Sequence, residues 1–486
     1  MEILFLVPPI QLNSRGMHVD RVYGCNYGFD YKPPIHLLLL ATIAKELGCK
    51  ARVLDCPAEG YNLRKFNDYI IRNGSIDIVV FFTVWLSLKE DLAAAEIISD
   101  LIKKVKIIFT GSYPSWMPDL FIKNERYFVI RGEPEKAFTE FVELYKSSSN
   151  NVSNIKNLSF LRNGKIINND SRGLLDIDTI PIPDRSMLRG SYFFNRLNYW
   201  PATVMCVSRG CSYNCRYCAP DALDQAIEIE FLRKNVNKPP LRLRNIKDVI
   251  KEFNTIVNLG YRAVEVVDNQ FVWNKERVMA ICDGIKHLNL KWICYARPDH
   301  LKDKEMLKSM KEAGCKLIYI GTESFCQKIL DDIHKEISVK DNYKAVELVR
   351  ECGIEPEVSV LLGASEFETE KTVFYSIREA RKLRAPYVHY SIALPLPHTR
   401  LYAIAKTKGW IKTGEFSPVD NIREGLLDLP FIKAERLKII IRKCYVGQYL
   451  SLRFIARQIL NLSFWQRLNF KINSLGKLLK YRYNHK

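Results

Sequence analysis

The chain has 486 residues, of which 47% are hydrophobic and 26% charged, with a formal net charge of +19 and 13 cysteines. That balance fits a globular protein with room for two or three domains, and no uninterrupted apolar run is long enough to span a bilayer. The first residues, MEILFLVPPI, carry neither a basic n-region nor a small-residue cleavage site, so the cysteines are expected free or on metal in a reducing, cytoplasmic setting.

Residues 1–146 alternate between short apolar runs and helical periodicity. Strands are expected at Glu2–Val7, Ala51–Leu54, Ile78–Phe82, Lys106–Thr110 and Phe128–Ile130. Helices are expected at Pro34–Leu47, Leu88–Val105 and Glu135–Tyr145. This order predicts a doubly wound parallel sheet that takes a ligand at the carboxyl ends of its strands. There is no G-x-G-x-x-G after the first strand and no Walker A loop, which argues against dinucleotides and nucleoside triphosphates. Residues 147–198 are rich in Ser and Asn and read as a linker, with one hairpin expected around Asn163-Gly164.

From residue 199 to 399, βα units repeat. Strands are expected at 203–207, 262–267, 291–295, 316–320, 356–361 and 387–393. Helices are expected at 246–259, 275–287, 303–313, 326–333, 340–352 and 369–383. Directly after the first of these strands stands Ser208-Arg209-Gly210-Cys211-Ser212-Tyr213-Asn214-Cys215-Arg216-Tyr217-Cys218. Soft thiolates select iron–sulfur or zinc, and structural zinc takes four protein ligands. No fourth Cys or His stands at finger spacing here. Three thiolates can instead hold three irons of a [4Fe–4S] cluster and leave the fourth iron open to a chelating small molecule. The competing readings are an incomplete zinc loop or three unrelated buried thiols.

The C-x3-C-x2-C spacing with Tyr217 before the last cysteine resembles the signature of radical S-adenosylmethionine (SAM) enzymes. The resemblance implies that Cys211, Cys215 and Cys218 hold the cluster, that the open iron binds SAM, and that reductive cleavage gives a 5′-deoxyadenosyl radical. It also implies a partial (β/α)6 barrel with its chemistry at the strands' carboxyl ends. Further matches lie at those ends: Asp268 in Val-Val-Asp-Asn-Gln-Phe, Arg297 in Tyr-Ala-Arg, and the run from Met310-Lys311-Glu312-Ala313-Gly314 to Gly321-Thr322-Glu323-Ser324, with Lys335 in the same block. Tyr217, Asp268, Arg297 and Glu323 are thereby implied as SAM contacts. Two turns depart from the pattern, Leu362–Thr369 and Pro395-Leu396-Pro397-His398-Thr399, and His398 is a candidate substrate-facing group beside its structural alternative.

The first half resembles the cobalamin-binding domain that precedes many radical SAM domains. The matching turns are Val7-Pro8-Pro9, Phe82-Thr83, Thr110-Gly111-Ser112-Tyr113-Pro114 and Arg131-Gly132-Glu133-Pro134-Glu135. The resemblance implies cobalamin contacts at Pro9, Thr83, Gly111, Ser112, Pro114, Gly132 and Glu133. No D-x-H-x-x-G motif is present, so cobalamin would sit without a protein histidine below the cobalt; the alternative is a degenerate domain that only shields the site.

The expected architecture is therefore α/β: an N-terminal doubly wound Rossmann-like cobalamin-binding domain (1–146), a linker (147–198), a partial (β/α)6 radical SAM barrel (199–399) and a basic C-terminal helical region (400–486). Lys433 to Lys486 holds thirteen Lys or Arg against the single acid Glu435. Apolar residues there recur at helical spacing (Leu450, Phe454, Ile455, Ile459; Trp465, Leu468, Leu475), as on a helix lying at the inner face of a membrane or on a helical cap packed on the barrel with a solvated basic face. The expected activity is functionalisation of an unactivated carbon by methylation, cyclisation or C–C bond formation, with cobalamin, on a lipid or isoprenoid, driven by a reductant such as ferredoxin or flavodoxin. The alternatives are a porphyrin ring cyclase, a non-catalytic binder, and a methylthiotransferase acting on RNA or protein, a class that holds a second cluster on three N-terminal cysteines; Cys25, Cys49 and Cys56 are present, but Cys56 follows Cys49 too closely for the usual spread. Nucleic acid is not an expected partner, since no recognisable RNA-binding domain is present.

Overall fold

A computed structural model describes residues 1–12, 18–24, 30–147, 151–192, 194, 199–236, 238–414, 416–418 and 424–450. The basic stretch 451–486 and Cys25 lie outside the described residues.

The first half builds a seven-stranded sheet from β1 (Glu2–Val7), β2 (Lys50–Asp55), β3 (Ile78–Phe82), β4 (Lys106–Thr110), β5 (Tyr127–Ile130), β6 (Leu158–Arg162) and β7 (Lys165–Asn168). Its order is β2-β1-β3-β4-β5-β6-β7. β1 to β5 run parallel, and their inner residues are buried on both faces, which is why Ile78–Phe82 reads as an unbroken apolar run. The chain direction across the sheet reverses between β1 and β3, which opens a crevice at their carboxyl ends. The hairpin expected around Asn163-Gly164 is β6–β7, and it continues this sheet antiparallel from β5. Residues expected as linker are thus partly a sheet edge. The helix starting at Leu88 ends at Leu101, four residues short of expectation.

The second sheet comprises β8 (Ala202–Met205), β11 (Ala263–Val266), β12 (Lys291–Ala296), β13 (Cys315–Glu323), β14 (Glu355–Leu362) and β15 (Tyr387–Ile392), in the order β15-β14-β13-β12-β11-β8. All neighbours are parallel. Helices alternate with these strands, including Ile246–Asn258, Lys275–Ile285, Val339–Glu351 and Glu370–Lys382. Between β8 and β11 lies a two-stranded antiparallel clip, β9 (Ser208–Arg209) with β10 (Arg242–Leu243).

The two sheets share apolar core. One buried cluster runs from Ile3, Phe5 and Phe82 of the first sheet through Leu223 and Ile227 to Val204, Ala263 and Ile293 of the second. Arg185, in the Pro-rich lead-in before β8, is fully buried; it donates to Val204 O at 2.7 Å and pairs with Glu252 at 2.6 Å. A buried pair of this kind is strongly destabilising to break from one side, so the lead-in is locked to the barrel. Two longer helices lie outside those expected, Leu63–Arg72, whose Phe66 and Ile70 are buried at helical spacing, and Ala222–Arg233. The second buries Asp224, Gln225 and Glu230 along with its apolar residues, so no single polar face marks it.

Candidate active site

The cysteine loop leaves the carboxyl end of β8 and is held from below by the residues after β11. Asp268 accepts Val207 N–H at 2.7 Å and the Ser208 hydroxyl at 2.6 Å. Gln270 accepts Ser212 N–H at 3.1 Å. The Asn269 amide donates to Asp221 at 2.9 Å and Asp224 at 2.7 Å, and Asp224 in turn accepts Gly210 N–H at 2.7 Å. Gly210 has φ +85°, and a Cβ there would lie 2.7 Å from Pro240 O, so the close approach of β9 and β10 requires glycine. Asp268 is fully buried, and burial pushes its carboxyl up to about 7 against the pull of its two hydrogen bonds. Both its oxygens are engaged in aiming the loop, a placement different from the SAM-ammonium contact expected of it.

On the far side, Arg216 pairs with Asp332 at 2.8 Å, its N–H donates to Ile333 O, and its own carbonyl accepts Leu401 N–H. The three thiols are free and half-buried. Burial pushes the Cys211 and Cys218 thiols up; Cys215 raises the first further, and Cys215 and Cys211 the second. Among the described residues no three His, Cys, Asp or Glu side chains are placed for a single metal ion. Three thiols on one braced loop fit the donor set of an iron–sulfur cluster, whose iron takes such ligands as thiolates.

Beside Cys215, three of the four implied SAM residues converge. Glu323 ends β13 with φ +56°, and its carboxylate pairs with Lys335 at 3.1 Å and accepts the Ser359 hydroxyl at 3.2 Å. Lys335 also reaches the Tyr217 hydroxyl at 3.3 Å. Arg297 donates to Lys335 O at 2.6 Å and to Asp299 at 3.0 Å, lies 3.4 Å over the Tyr213 ring, and points Nη1 at Cys215 Sγ at 3.8 Å. This corner offers a carboxylate, two cations and a phenol around one thiol, a set suited to an amino acid carried by the open iron. Tyr213, Ser359, Asn269 and Gln270 were not singled out in the sequence; only the Asp-Asn-Gln-Phe run hinted at the last two.

At the carboxyl ends of β3 and β4 the Thr83, Thr110 and Ser112 hydroxyls are fully buried without a hydrogen-bond partner. Buried polar atoms of this kind call for a ligand or an ordered water. Gly111 has φ +106°, and a Cβ there would stand 2.5 Å from Thr83 O, so strand ends and turn meet as bare backbone. Gly132 N–H donates to the Ser115 hydroxyl at 2.9 Å, in the short helix that holds Ser112 and Pro114. Pro9 is buried at the end of β1, and its carbonyl accepts Leu12 N–H at 3.1 Å. Thr83, Gly111 and Ser112 thus form one polar cradle, which fits the polar rim of a bound group. Glu133 lies elsewhere in the network. It pairs with Arg209 and Arg242, both at 2.8 Å, and accepts Leu175 N–H at 3.0 Å. Burial pushes its carboxyl up, but the two guanidinium groups hold it below the ordinary range. It ties the first sheet to the β9–β10 clip instead of reaching toward the cradle.

His398 is fully buried with both ring nitrogens unpartnered, 3.7 Å from Glu228, and burial pushes it down to about 3. Cys49 and Cys56 are buried in the apolar cores of the first half, and burial pushes both thiols up. That environment suits packing and gives no open loop for a second cluster.

Comparison with known proteins agrees with this geometry. Residues 205–380 match the sequence model of the radical SAM superfamily. An uncharacterized methyltransferase of Pyrococcus horikoshii, PH0819, is 28% identical over 473 residues, 94% of this chain and 95% of that protein. The anaerobic magnesium-protoporphyrin IX monomethyl ester cyclase of Cereibacter sphaeroides is 27% identical over 284 residues, 56% of this chain but 44% of the cyclase. The structure of OxsB, a cobalamin-dependent SAM radical enzyme with aqua-cobalamin and SAM bound, superposes with a TM-score of 0.70 at 14% identity, covering 100% of this chain and 70% of that one.

Proposed function

We propose that this radical SAM superfamily enzyme modifies an unactivated carbon by methyl transfer, with a [4Fe–4S] cluster, SAM and cobalamin as its cofactors. The observation that carries the reading is the corner where Tyr217, Arg297, Glu323 and Lys335 surround Cys215 on the braced three-cysteine loop. When bound, the cluster and cobalamin supply the electron for SAM cleavage and a carrier for the methyl group. The chain's own residues do the positioning. Cys211, Cys215 and Cys218 would hold three irons. Glu323 and Lys335, opposite in sign and 3.1 Å apart, would meet the ammonium and carboxylate of SAM, with Arg297 as a second cation and Tyr217 toward the adenine. Thr83, Thr110 and Ser112 would donate to or accept from the polar edge of cobalamin, and this seat rests also on the likeness to OxsB.

Methyl transfer is favoured over ring closure because the full-length likeness is to a protein named as a methyltransferase, whereas the cyclase is matched over under half its length. The electron comes from an external reductant such as ferredoxin or flavodoxin. No described helix is long and apolar enough to cross a membrane. Contact with a lipid surface, and with it a lipid or isoprenoid substrate, rests on the basic tail Lys433–Lys486. It is checked by flotation with anionic against neutral vesicles.

The test is anaerobic reconstitution with iron and sulfide, then cobalamin titration and incubation with SAM and dithionite. About four irons per chain, stoichiometric cobalamin and 5′-deoxyadenosine formation support the reading. The same yield of 5′-deoxyadenosine from a chain with all three cysteines changed to alanine overturns it. A cluster without cobalamin removes the methyl-carrier half and turns the reading to cyclisation or coupling.

A further inference from the structure

The cations around Cys215 have a counterpart on the other side of the cysteine loop. Lys238, in the segment leading to β10, extends its ammonium to the loop itself and donates to Tyr213 O at 3.0 Å, midway between Cys211 and Cys215. The same ammonium pairs with Glu228 at 3.1 Å, and both side chains are largely buried. Glu228 is presented by the helix Ala222–Arg233, and its other oxygen faces His398 at 3.7 Å. His398 is held neutral by burial, and burial pushes the Glu228 carboxyl up to about 7, so Lys238 is charged throughout and Glu228 joins it above that pH, where the redox titration below is run.

We propose that Lys238 and Glu228 form an opposed charge pair that sets the reduction potential of the cluster carried by Cys211, Cys215 and Cys218. Reduction adds one negative charge to the cluster. A cation held at the loop in a low-dielectric interior stabilises the reduced form, and an anion beside it opposes that effect. Lys238 therefore raises the potential and Glu228 tempers it. The ammonium bonds the loop directly whereas the carboxylate is joined to it through that ammonium, so the effect of Glu228 is the smaller of the two. The hydrogen bond to Tyr213 O fixes the ammonium in place, which distinguishes it from a mobile surface lysine. Sequence reading alone passes over Lys238, because it stands twenty residues beyond the last cysteine in a Lys- and Asn-rich stretch.

The inference rests on the cluster reading above, and the experiment separates the two. Wild type, Lys238→Met, Lys238→Arg and Glu228→Gln are reconstituted with iron and sulfide, iron is counted, and the midpoint potential is read from an EPR-monitored redox titration. Lys238→Met is expected to move the midpoint to more negative values, Glu228→Gln to less negative ones, and Lys238→Arg to leave it near wild type. At a fixed weak reductant, 5′-deoxyadenosine yield should fall in Lys238→Met and rise in Glu228→Gln. Midpoints that do not move, or that move in the same direction for both charge-removing variants, overturn the proposal. Should Lys238→Met fail to assemble a cluster, the sign of the Glu228→Gln shift alone decides. A wild type that assembles no cluster refutes the cluster reading instead.

Discussion

Gly321 offers a direct test of the corner assigned to SAM. It stands two residues before Glu323 on β13, and a Cβ there would lie 2.8 Å from Glu323 Oε1 and 3.0 Å from Lys335 Nζ. Its own backbone is not in the left-handed region, so alanine brings no torsional strain. Carbon and a polar atom settle at roughly 3.5 Å, so the Glu323–Lys335 pair must retreat by roughly half an ångström. Both obstructing atoms are the ends of flexible side chains, and the fold can absorb the change. Overfilling a packed site costs about 1–3 kcal/mol, which in binding is about 5- to 150-fold. Gly321→Ala should therefore weaken SAM binding by on the order of tenfold, measured by equilibrium dialysis on the reconstituted enzyme. Iron content and melting temperature should stay near wild type. Gly173→Ala, with nothing within 4 Å of the added carbon, is the neutral control. Unchanged SAM affinity in Gly321→Ala would show that the pair does not touch SAM, and the placement of SAM in this corner would fall.

Three further outcomes follow from buried polar groups. Glu368 accepts Ala364 N–H at 2.9 Å and is pushed up to about 7 by burial. The native state therefore keeps a proton that the unfolded chain has lost, and stability falls as pH rises from about 4.5 to 7. Glu368→Gln keeps the acceptor and loses the titration, so its melting temperature should climb relative to wild type across that window, by the equivalent of up to about 3 kcal/mol; a constant difference would contradict the raised carboxyl. Thr83→Val removes a buried hydroxyl that has no partner, so the cobalamin-free protein should melt no lower than wild type. Cobalamin affinity should meanwhile fall by on the order of tenfold, and a fall in stability with unchanged affinity would remove Thr83 from the cradle. Arg209→Met strands Glu135, which it now meets at 2.5 Å, and leaves Glu133 to Arg242 alone. A loss of about 3–5 kcal/mol is expected, seen as earlier proteolysis between the two sheets, and Glu135→Gln combined with Arg209→Met should recover part of it.

The strands were legible because burial leaves a local record. Ile78–Phe82 and Lys106–Thr110 occupy the expected residues, since a strand covered on both faces admits little but apolar side chains. The corner around Cys215 was legible for a different reason: Tyr217, Arg297 and Glu323 each stand at a strand end or in the cysteine loop, where topology alone brings them together. Asp268 and Glu133 show the limit. A carboxylate at a strand end looks the same in sequence whether it meets a ligand or a backbone N–H, and the choice is made by Val207 and Ser208 in one case and by Arg209 and Arg242 in the other. Those partners lie tens of residues away. The linker reading failed in part for the same reason, because β7 is largely exposed and β6, short and set in a Ser- and Asn-rich stretch, buries its first three residues only by pairing with β5.

The helix Ala222–Arg233 brings these strands of argument to one place. In a helix, residues four apart share a face. Asp224 and Glu228 face the cysteine loop, the first accepting Gly210 N–H and the second pairing with Lys238. Gln225, Ile229 and Arg233 face the first sheet: Gln225 accepts the Trp85 indole N–H at 2.6 Å, Ile229 lies in the core of β1, β3 and β4, and Arg233 donates to Ser115 O at 2.7 Å. One helix thus braces the proposed cluster seat with one face and the proposed cobalamin seat with the next. Both faces are buried and both carry polar groups, and this division erases the amphipathic stripe by which a helix is normally read. It also means that displacing this helix would break polar contacts to both seats at once.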